Sequence, residues 1–292
     1  MQSLLAHRGI CVSDLEVARD FYANALRFSA VEDGIADEHV LQALTGYADA
    51  AVRSQLLKDE TGVTLELVQF LSPPAFGTRH RRPLNQFGLT HLCFWTPCIE
   101  DTAQLIEDHG GVPHWHTLMA VREMNTRVMY CSDPDGVRVE LGERSGEPFA
   151  FLHSGACVGD LGETLTFYRD VLAFHVVEQL ELKQQAAWLA PLMELQDVSL
   201  TAHVLVSERG ERIELLECHR PSPYGSRQLA PPNRFGLSHM TFAVPDLDET
   251  AALIRTLRGT GSTPVFISAH GVRALACADP NGILLIMAER RH

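Results

Sequence analysis

The chain has 292 residues, a formal net charge of −13, 46% apolar and 21% charged residues, the balance of a folded globular protein long enough to bury two ordinary cores. So acidic a chain is a poor partner for nucleic acid, and no apolar run approaches the length needed to span a bilayer. The seven cysteines form neither CxxC pairs nor a disulfide framework, and the N-terminus carries no basic-then-apolar leader pattern. A reducing cytoplasm is therefore the expected location, and a homo-oligomer remains compatible with the composition.

In chain order, LLAHRGICV reads as a strand, and Ser13-Asp14-Leu15-Glu16 as a capping box opening a helix with Leu15, Ala18, Tyr22, Ala25 and Leu26 on one face. Asp37 to Gly46 suggests a short helix, Glu60-Thr61-Gly62 a hairpin turn, and VTLELVQF the closing strand of this first unit. Arg79-His80-Arg81-Arg82 then forms a basic knot, expected to be a solvated loop. FGLTHLCFW opens a second unit, followed by a helix over Ile99 to His109 stopped at Gly110-Gly111, and by a hairpin turning at Asp133-Pro134-Asp135-Gly136.

Beyond residue 145 the same text begins again. LAHRGICVSDLEVARDFYANALRF lies over FLHSGACVGDLGETLTFYRDVLAF at an offset of 146, pairing His7 with His153, Asp14 with Asp160 and Phe28 with Phe174. A short helix is expected at Ala187 to Leu195 and a hairpin at Glu208-Arg209-Gly210. FGLSHMTFA, a helix from about Asp246 to Arg258 stopped at Gly259, and a turn at Asp279-Pro280-Asn281-Gly282 complete the fourth unit. Such a repeat decides the architecture: four units of strand, helix and three strands, in two halves, 1–145 and 146–292.

Period-two alternation places Met240, Phe242 and Val244 on one face of FGLSHMTFAV and His239 on the other, away from the helix-packed side. In the final strands Glu66, Glu140 and Glu214 stand among apolar neighbours, where an unpaired carboxylate is costly to bury. Taken singly, each histidine would be read as a core residue hydrogen-bonded to a strand carboxylate. Recurring in every unit, they point to a divalent first-row ion, Fe(II), Mn(II), Ni(II), Co(II) or Zn(II). The first half supplies His7, Glu66, His91 and Glu140, expected to act as one set; the second supplies His153, Glu214 and His239, with Ile286 where a fourth ligand would stand. Tyr130 and His270 lie in hairpins expected to flank a cavity and are candidate acid-base residues. His80, His109, His114, His116, His175 and His219 each occur in one unit only and are expected to be surface or packing residues. No serine-nucleophile or nucleotide-binding pattern is present.

With its repeat, strand histidines and DPDG-x-x-x-E ending, the chain resembles the vicinal oxygen chelate (VOC) superfamily, which includes glyoxalase I, methylmalonyl-CoA epimerase, bleomycin and fosfomycin resistance proteins and type I extradiol dioxygenases. The resemblance covers nearly the whole chain. It implies an α+β fold of four βαβββ modules, forming two tandem domains whose mixed sheets curl around metal-holding cavities. Two groupings of modules are open, one with two and three with four, or a crossed one that brings His91, Glu140, His153 and Glu214 together. A His-Glu-His-Glu set resembles glyoxalase I and implies an isomerase, epimerase or lyase that chelates adjacent oxygens of a small substrate, with Glu140 moving a proton. Four modules in one chain resemble extradiol dioxygenases, which implies Fe(II)-dependent cleavage of a catecholic substrate. Ile286 and Ala276 depart from that pattern in the second half, where a glutamate and a tyrosine would stand, whereas Tyr130 and Glu140 fit it in the first. A third implication is a non-catalytic binder of a small molecule such as an antibiotic, though a cavity that only sequesters has no use for a full ligand set.

Overall fold

The computed structural model describes residues 3–34, 42, 47, 49–121, 125–182, 189–257, 263, 265–267 and 271–290. The first module contains β1 (Leu4–Cys11), α1 (Leu15–Asn24), β2 (Ser29–Gly34), β3 (Ala51–Lys58) and β4 (Thr64–Ser72). The second contains β5 (Gly88–Thr96), α2 (Ile99–Asp108), β6 (Val112–Pro113), a 3-10 turn (Trp115–Thr117), β7 (Met119–Val121), β8 (Thr126–Ser132) and β9 (Arg138–Glu143). The third has β10 (Ala150–Val158), α3 (Leu161–Leu172), β11 (His175–Leu182), α4 (Leu189–Met193), β12 (Ser199–Val206) and β13 (Arg212–Arg220). The fourth has β14 (Gly236–Val244), α5 (Leu247–Thr256), β15 (Phe266–Ile267), β16 (Arg273–Ala278) and β17 (Leu284–Glu289).

Local chemistry sets these boundaries. The cap of α1 is Asp14, not Ser13: its Oδ1 accepts the backbone N–H groups of Glu16 and Val17 at 2.9 and 3.1 Å. Asp160 and Asp246 cap α3 and α5 in the same way, through the N–H of Glu163 and Glu249. The expected short helix at Ala187 to Leu195 is α4; the one at Asp37 to Gly46 lies, but for Gln42, outside the described residues. In the DPDG turn, Asp133 Oδ1 accepts from the N–H of Asp135 and Val137 at 2.9 and 2.7 Å, and Gly136 takes the positive φ of 84°.

The modules are crossed in their sheets. One eight-stranded sheet runs β15-β16-β17-β14-β1-β4-β3-β2, joining modules four and one. The other runs β11-β12-β13-β10-β5-β9-β8-β6, with β7 paired to β8, joining modules three and two. Within each module the first strand is parallel to the last, and between modules the two first strands meet antiparallel.

Modules that are adjacent in each half pack face to face. Phe28 of module one meets Phe94 of module two edge-on, with ring centroids 6.3 Å apart, and Phe174 meets Phe242 in the same way at 6.2 Å. These rings, with Phe21, Tyr22, Phe167 and Tyr168 from the helices and Met240 and Leu92 from the strands, lie in one continuous buried core. Two buried polar ties cross it: Tyr22 donates to Asp133 Oδ2 at 3.0 Å, and Tyr168 to Asp279 Oδ2 at 3.4 Å.

Tyr22→Phe removes the hydroxyl that satisfies a buried carboxylate oxygen and is expected to lower unfolding free energy by ~1–3 kcal/mol. Tyr168→Phe should cost less, since its bond is longer and Asn281 Nδ2 also reaches Asp279 Oδ2 at 3.4 Å. Urea denaturation of the two variants beside the wild type measures the difference.

Candidate metal centres

The antiparallel joins between modules bring the candidate ligands together. In the nine-stranded sheet, His91 of β5 is opposite Gly155 of β10 and His153 is opposite Cys93. The parallel neighbours then place Glu140 of β9 beside Cys93 and Glu214 of β13 beside Gly155. All four side chains fall on one patch. In the eight-stranded sheet the same registers set His239 opposite Gly9, His7 opposite Thr241, Glu66 beside Gly9 and Ile286 beside Thr241.

The set His7, Glu66, His91 and Glu140, expected to act together, is thus divided between the two sheets, and so is the set His153, Glu214 and His239. The crossed grouping replaces both. Its reason is the strand pairing between modules: a first-strand histidine shares a seam with the first strand of the module it pairs with edge to edge, and that partner lies in the other half of the sequence.

A glycine makes each seam passable. A Cβ on Gly155 would lie 2.0 Å from His91 Cε1, and one on Gly9 would lie 1.9 Å from His239 Cε1. The imidazole lies over the facing backbone, which only a residue without a side chain permits. Two further hydroxyls orient the rings: Thr90 Oγ1 lies 3.0 Å from His91 Nδ1, and Ser238 Oγ 2.9 Å from His239 Nδ1. Engaging Nδ1 in this way aims Nε2 into the seam as a ligand atom.

The two seams differ in what they hold. In the nine-stranded sheet His91 Nε2 lies 3.2 Å from His153 Nε2, 3.2 Å from Glu140 Oε2 and 3.4 Å from Glu214 Oε2, and His153 Nε2 lies 3.6 Å from Glu214 Oε2. Donors bound to one ion at ~2.0–2.2 Å stand roughly 3 to 3.5 Å from one another across a polyhedron edge. The spacings about His91 fit that requirement, and His91, Glu140 and His153 offer donor atoms all within 4.8 Å of one another, with Glu214 beside the two histidines. The charges also fit: burial pushes Glu140 up to about 7, and burial together with the charge of Glu140 pushes Glu214 up to about 8. Burial, aided by Arg212 and Arg8, lowers His153 to about 3, and burial, aided by His153 and Arg138, holds His91 well below the ordinary histidine range. Two neutral imidazoles and two desolvated carboxylates constitute a donor set that a divalent cation satisfies.

In the eight-stranded sheet Glu66 Oε2 lies 3.3 Å from His7 Nε2 and 3.2 Å from His239 Nε2. Burial would raise Glu66, but hydrogen bonds to His239 and His7 outweigh it and hold this carboxylate below its usual range. Ile286 occupies the place of Glu140, and Ala276, which pairs with it, the place of Tyr130. A third cluster, Cys98, Glu100 and Glu143, sits at the surface, where the Arg127 guanidinium binds both glutamates.

A cavity of about 430 Å³ opens over the four-donor seam. Its walls include Tyr130, His153, Arg212, Leu189, Leu192 and Met193. Tyr130 pairs with Glu140 across β8 and β9, borders the same cavity and carries the Arg138 guanidinium 4.6 Å above its ring. His270 lies outside the described residues. His109, His114 and His219 have ordinary partners in Asp20, Ser132 and Thr201. The basic knot is the loop expected, with Arg79 and His80 exposed, but Arg81 and Arg82 are half-buried: Arg79 binds Asp135, Arg81 binds Glu194, and Arg82 bonds to Gln86 and the Phe87 carbonyl. Sequence reasoning passed over Gly9, Gly155, Thr90 and Ser238, although HRG with HSG, and TH with SH, recur at matching places.

The family model of the glyoxalase, bleomycin resistance protein and dioxygenase superfamily matches the chain twice, over residues 4–141 and 150–287. The chain belongs to this superfamily, as a tandem of two such domains. Glyoxalase I from Zea mays is similar in fold at 16% identity, with a TM-score of 0.71 over 98% of this chain and 92% of that one. A putative dioxygenase from Bacillus subtilis is similar at 15% identity, with a TM-score of 0.59 over 98% and 84% of the two chains. No curated protein matches. Among the described residues no helix is long and apolar enough to cross a membrane.

Gly155→Ala is expected to drive the His91 ring from its place and lower the Co(II) affinity of the four-donor seam by at least ~10-fold, the scale of losses when a ligand is misoriented. Gly9→Ala, in the other sheet, should leave that affinity unchanged. Isothermal titration with Co(II) distinguishes the two.

Proposed function

We propose that the protein is a metal-dependent enzyme of the isomerase, epimerase or lyase kind, with its working centre at His91, Glu140, His153 and Glu214. The observation that carries this reading is that His153, Glu140 and Glu214 each place a donor atom 3.2–3.4 Å from His91 Nε2 beneath a cavity, with His91, Glu140 and His153 grouped closely enough to share one ion. When bound there, a divalent first-row ion supplies Lewis-acid stabilisation of charge developing on two adjacent substrate oxygens.

The remaining work falls to the chain. Glu140 is the residue assigned to take and return the proton at carbon, since it borders the cavity beside its cross-strand partner Tyr130. His91 is fully buried and fixed by Thr90, so it serves as an anchor and not as an acid. Leu189, Leu192 and Met193 exclude water from the cavity, which strengthens every electrostatic interaction inside it. Arg212 contributes positive charge to the wall and suits a substrate with anionic character.

A second reading is favoured by a separate observation. His7, Glu66 and His239 form a 2-His-1-carboxylate triad with Ile286 in the fourth place, a composition suited to Fe(II) and oxygen chemistry on a catecholic substrate. Oxygen dependence separates the two readings.

Under argon, protein loaded with Co(II) or Ni(II) is expected to exchange the proton α to the carbonyl of an α-hydroxycarbonyl probe with solvent deuterium, followed by NMR. Glu140→Gln should reduce that exchange by at least ~10²-fold. Consumption of O2 by Fe(II)-loaded protein with a catechol, and no exchange under argon, would replace the proton-transfer reading with the dioxygenase one.

Ile286→Glu restores a carboxylate beside His7, Glu66 and His239 and is expected to tighten Co(II) binding in the eight-stranded sheet. Titration of this substitution in a Gly155→Ala background reports that seam with the other one weakened.

A further inference from the structure

The helix α4 closes the cavity over the four-donor seam. It comes from module three, between β11 and β12, yet its apolar residues Leu189, Leu192 and Met193 pack in one cluster with Tyr130 and Val128 of module two. A helix of five residues has little stability of its own, so its position must come from what it is fastened to.

The fastening is at Glu194, the first residue after the helix. Its backbone adopts φ 55°, an uncommon conformation for glutamate, which turns the chain sharply away from the helix axis. Three cationic or potentially cationic groups converge on its carboxylate. Arg81 forms a two-pronged pair, Nη1 to Oε2 at 2.5 Å and Nη2 to Oε1 at 2.7 Å. Arg138 Nη1 reaches Oε2 at 2.8 Å, and His116 Nε2 lies 2.8 Å from Oε1. Arg81 belongs to the linker between modules one and two, Arg138 to β9, and His116 to the 3-10 turn, so one carboxylate of module three is held entirely by the other side of the seam.

Arg138 extends this contact inward. Its side chain is only 3% exposed, and its guanidinium lies 4.6 Å over the ring of Tyr130, the cross-strand partner of Glu140. Glu194, Arg138, Tyr130 and Glu140 therefore follow one another from the cover of the cavity to its floor, the first three by side-chain contact and the last two as cross-strand partners. We propose that Glu194 is a positioning residue: it latches α4 over the cavity and, through Arg138 and Tyr130, couples that closure to the orientation of the Glu140 carboxylate. This coupling rests on the metal-centre reading above; the latch itself does not.

The test uses the full chain, with Co(II) as the probe. Glu194→Gln removes the charge while keeping shape, and Arg81→Met cuts the two-pronged pair without touching Glu194 or Arg138. Hydrogen exchange of the segment 189–195, followed by mass spectrometry, is expected to quicken at least ~10-fold in both variants relative to wild type, since opening of a locally held segment sets its exchange rate. The visible absorption bands of bound Co(II) should shift in both, with one equivalent still bound at the four-donor seam, because the geometry of one ligand changes while none is removed. Unchanged exchange overturns the latch. Quickened exchange with the wild-type Co(II) spectrum overturns the coupling and leaves Glu194 a structural residue of the cover. Wild-type protein that binds no Co(II) overturns the metal-centre reading instead, and exchange at 189–195 and in β8 then decides whether release of Glu194 is felt at Tyr130.

Discussion

Everything at the centres depends on one close approach, the imidazole of one module lying over a glycine of the next. His91 over Gly155 and His239 over Gly9 let two antiparallel first strands meet with their histidines inside the seam. With any side chain at the glycine the ring would have to swing away, and Nε2 would no longer face the carboxylate of the neighbouring strand. The parallel pairing of first and last strands within a module then delivers the glutamates without further devices, since Glu140 and Glu214 are one register from the join.

The same scaffold is used twice with different contents. Where β9 carries Glu140 and β8 carries Tyr130, the seam holds two carboxylates whose ionisation burial opposes, a state that calls for a cation. Where β17 carries Ile286 and β16 carries Ala276, Glu66 is balanced by two imidazoles and keeps its charge below the usual carboxylate range. One apolar substitution on a last strand changes the seam from a site in electrostatic need to one close to balance. This contrast makes the nine-stranded sheet the stronger candidate for a resident divalent ion.

Much of this was legible in the residues. The offset of 146, the capping aspartates and the DPDG and DPNG turns gave four modules, and period-two alternation put the histidines on the inner face. What alternation cannot reveal is which strand lies alongside which, because pairing between modules is a non-local choice. Linker length carries that information. Only residues 144–149 separate β9 from β10, enough to step over one strand within a sheet, whereas 73–87 and 221–235 are long enough to leave one sheet for the other. Those two long linkers run beside each other, with parallel bridges at Phe76 to Arg234 and Gln86 to Tyr224. Glu194 was beyond sequence reading, because nothing local announces that three separate segments will meet one carboxylate.

The repeat also shows where two copies of one module cannot be identical. Equivalent contacts recur at the repeat offset: Ser13 N–H to Asp135 and Gly159 N–H to Asn281, both through side-chain oxygens, and Tyr22 to Asp133 as Tyr168 to Asp279. Such pairs relate the halves by an approximate two-fold axis, and a position on that axis must meet its own equivalent. Arg8 and Ser154 are that position, with Arg8 Nε donating to Ser154 Oγ at 3.2 Å in the buried interior. Two arginines there would face each other as desolvated like charges, and two serines would leave the space over the Phe151 ring, now filled by the Arg8 guanidinium at 4.6 Å, without its occupant. The asymmetric pair resolves both problems. It also brings a positive charge from the eight-stranded sheet close enough to help keep His153 uncharged, so the strand that carries His7 in one centre shapes the electrostatics of the other.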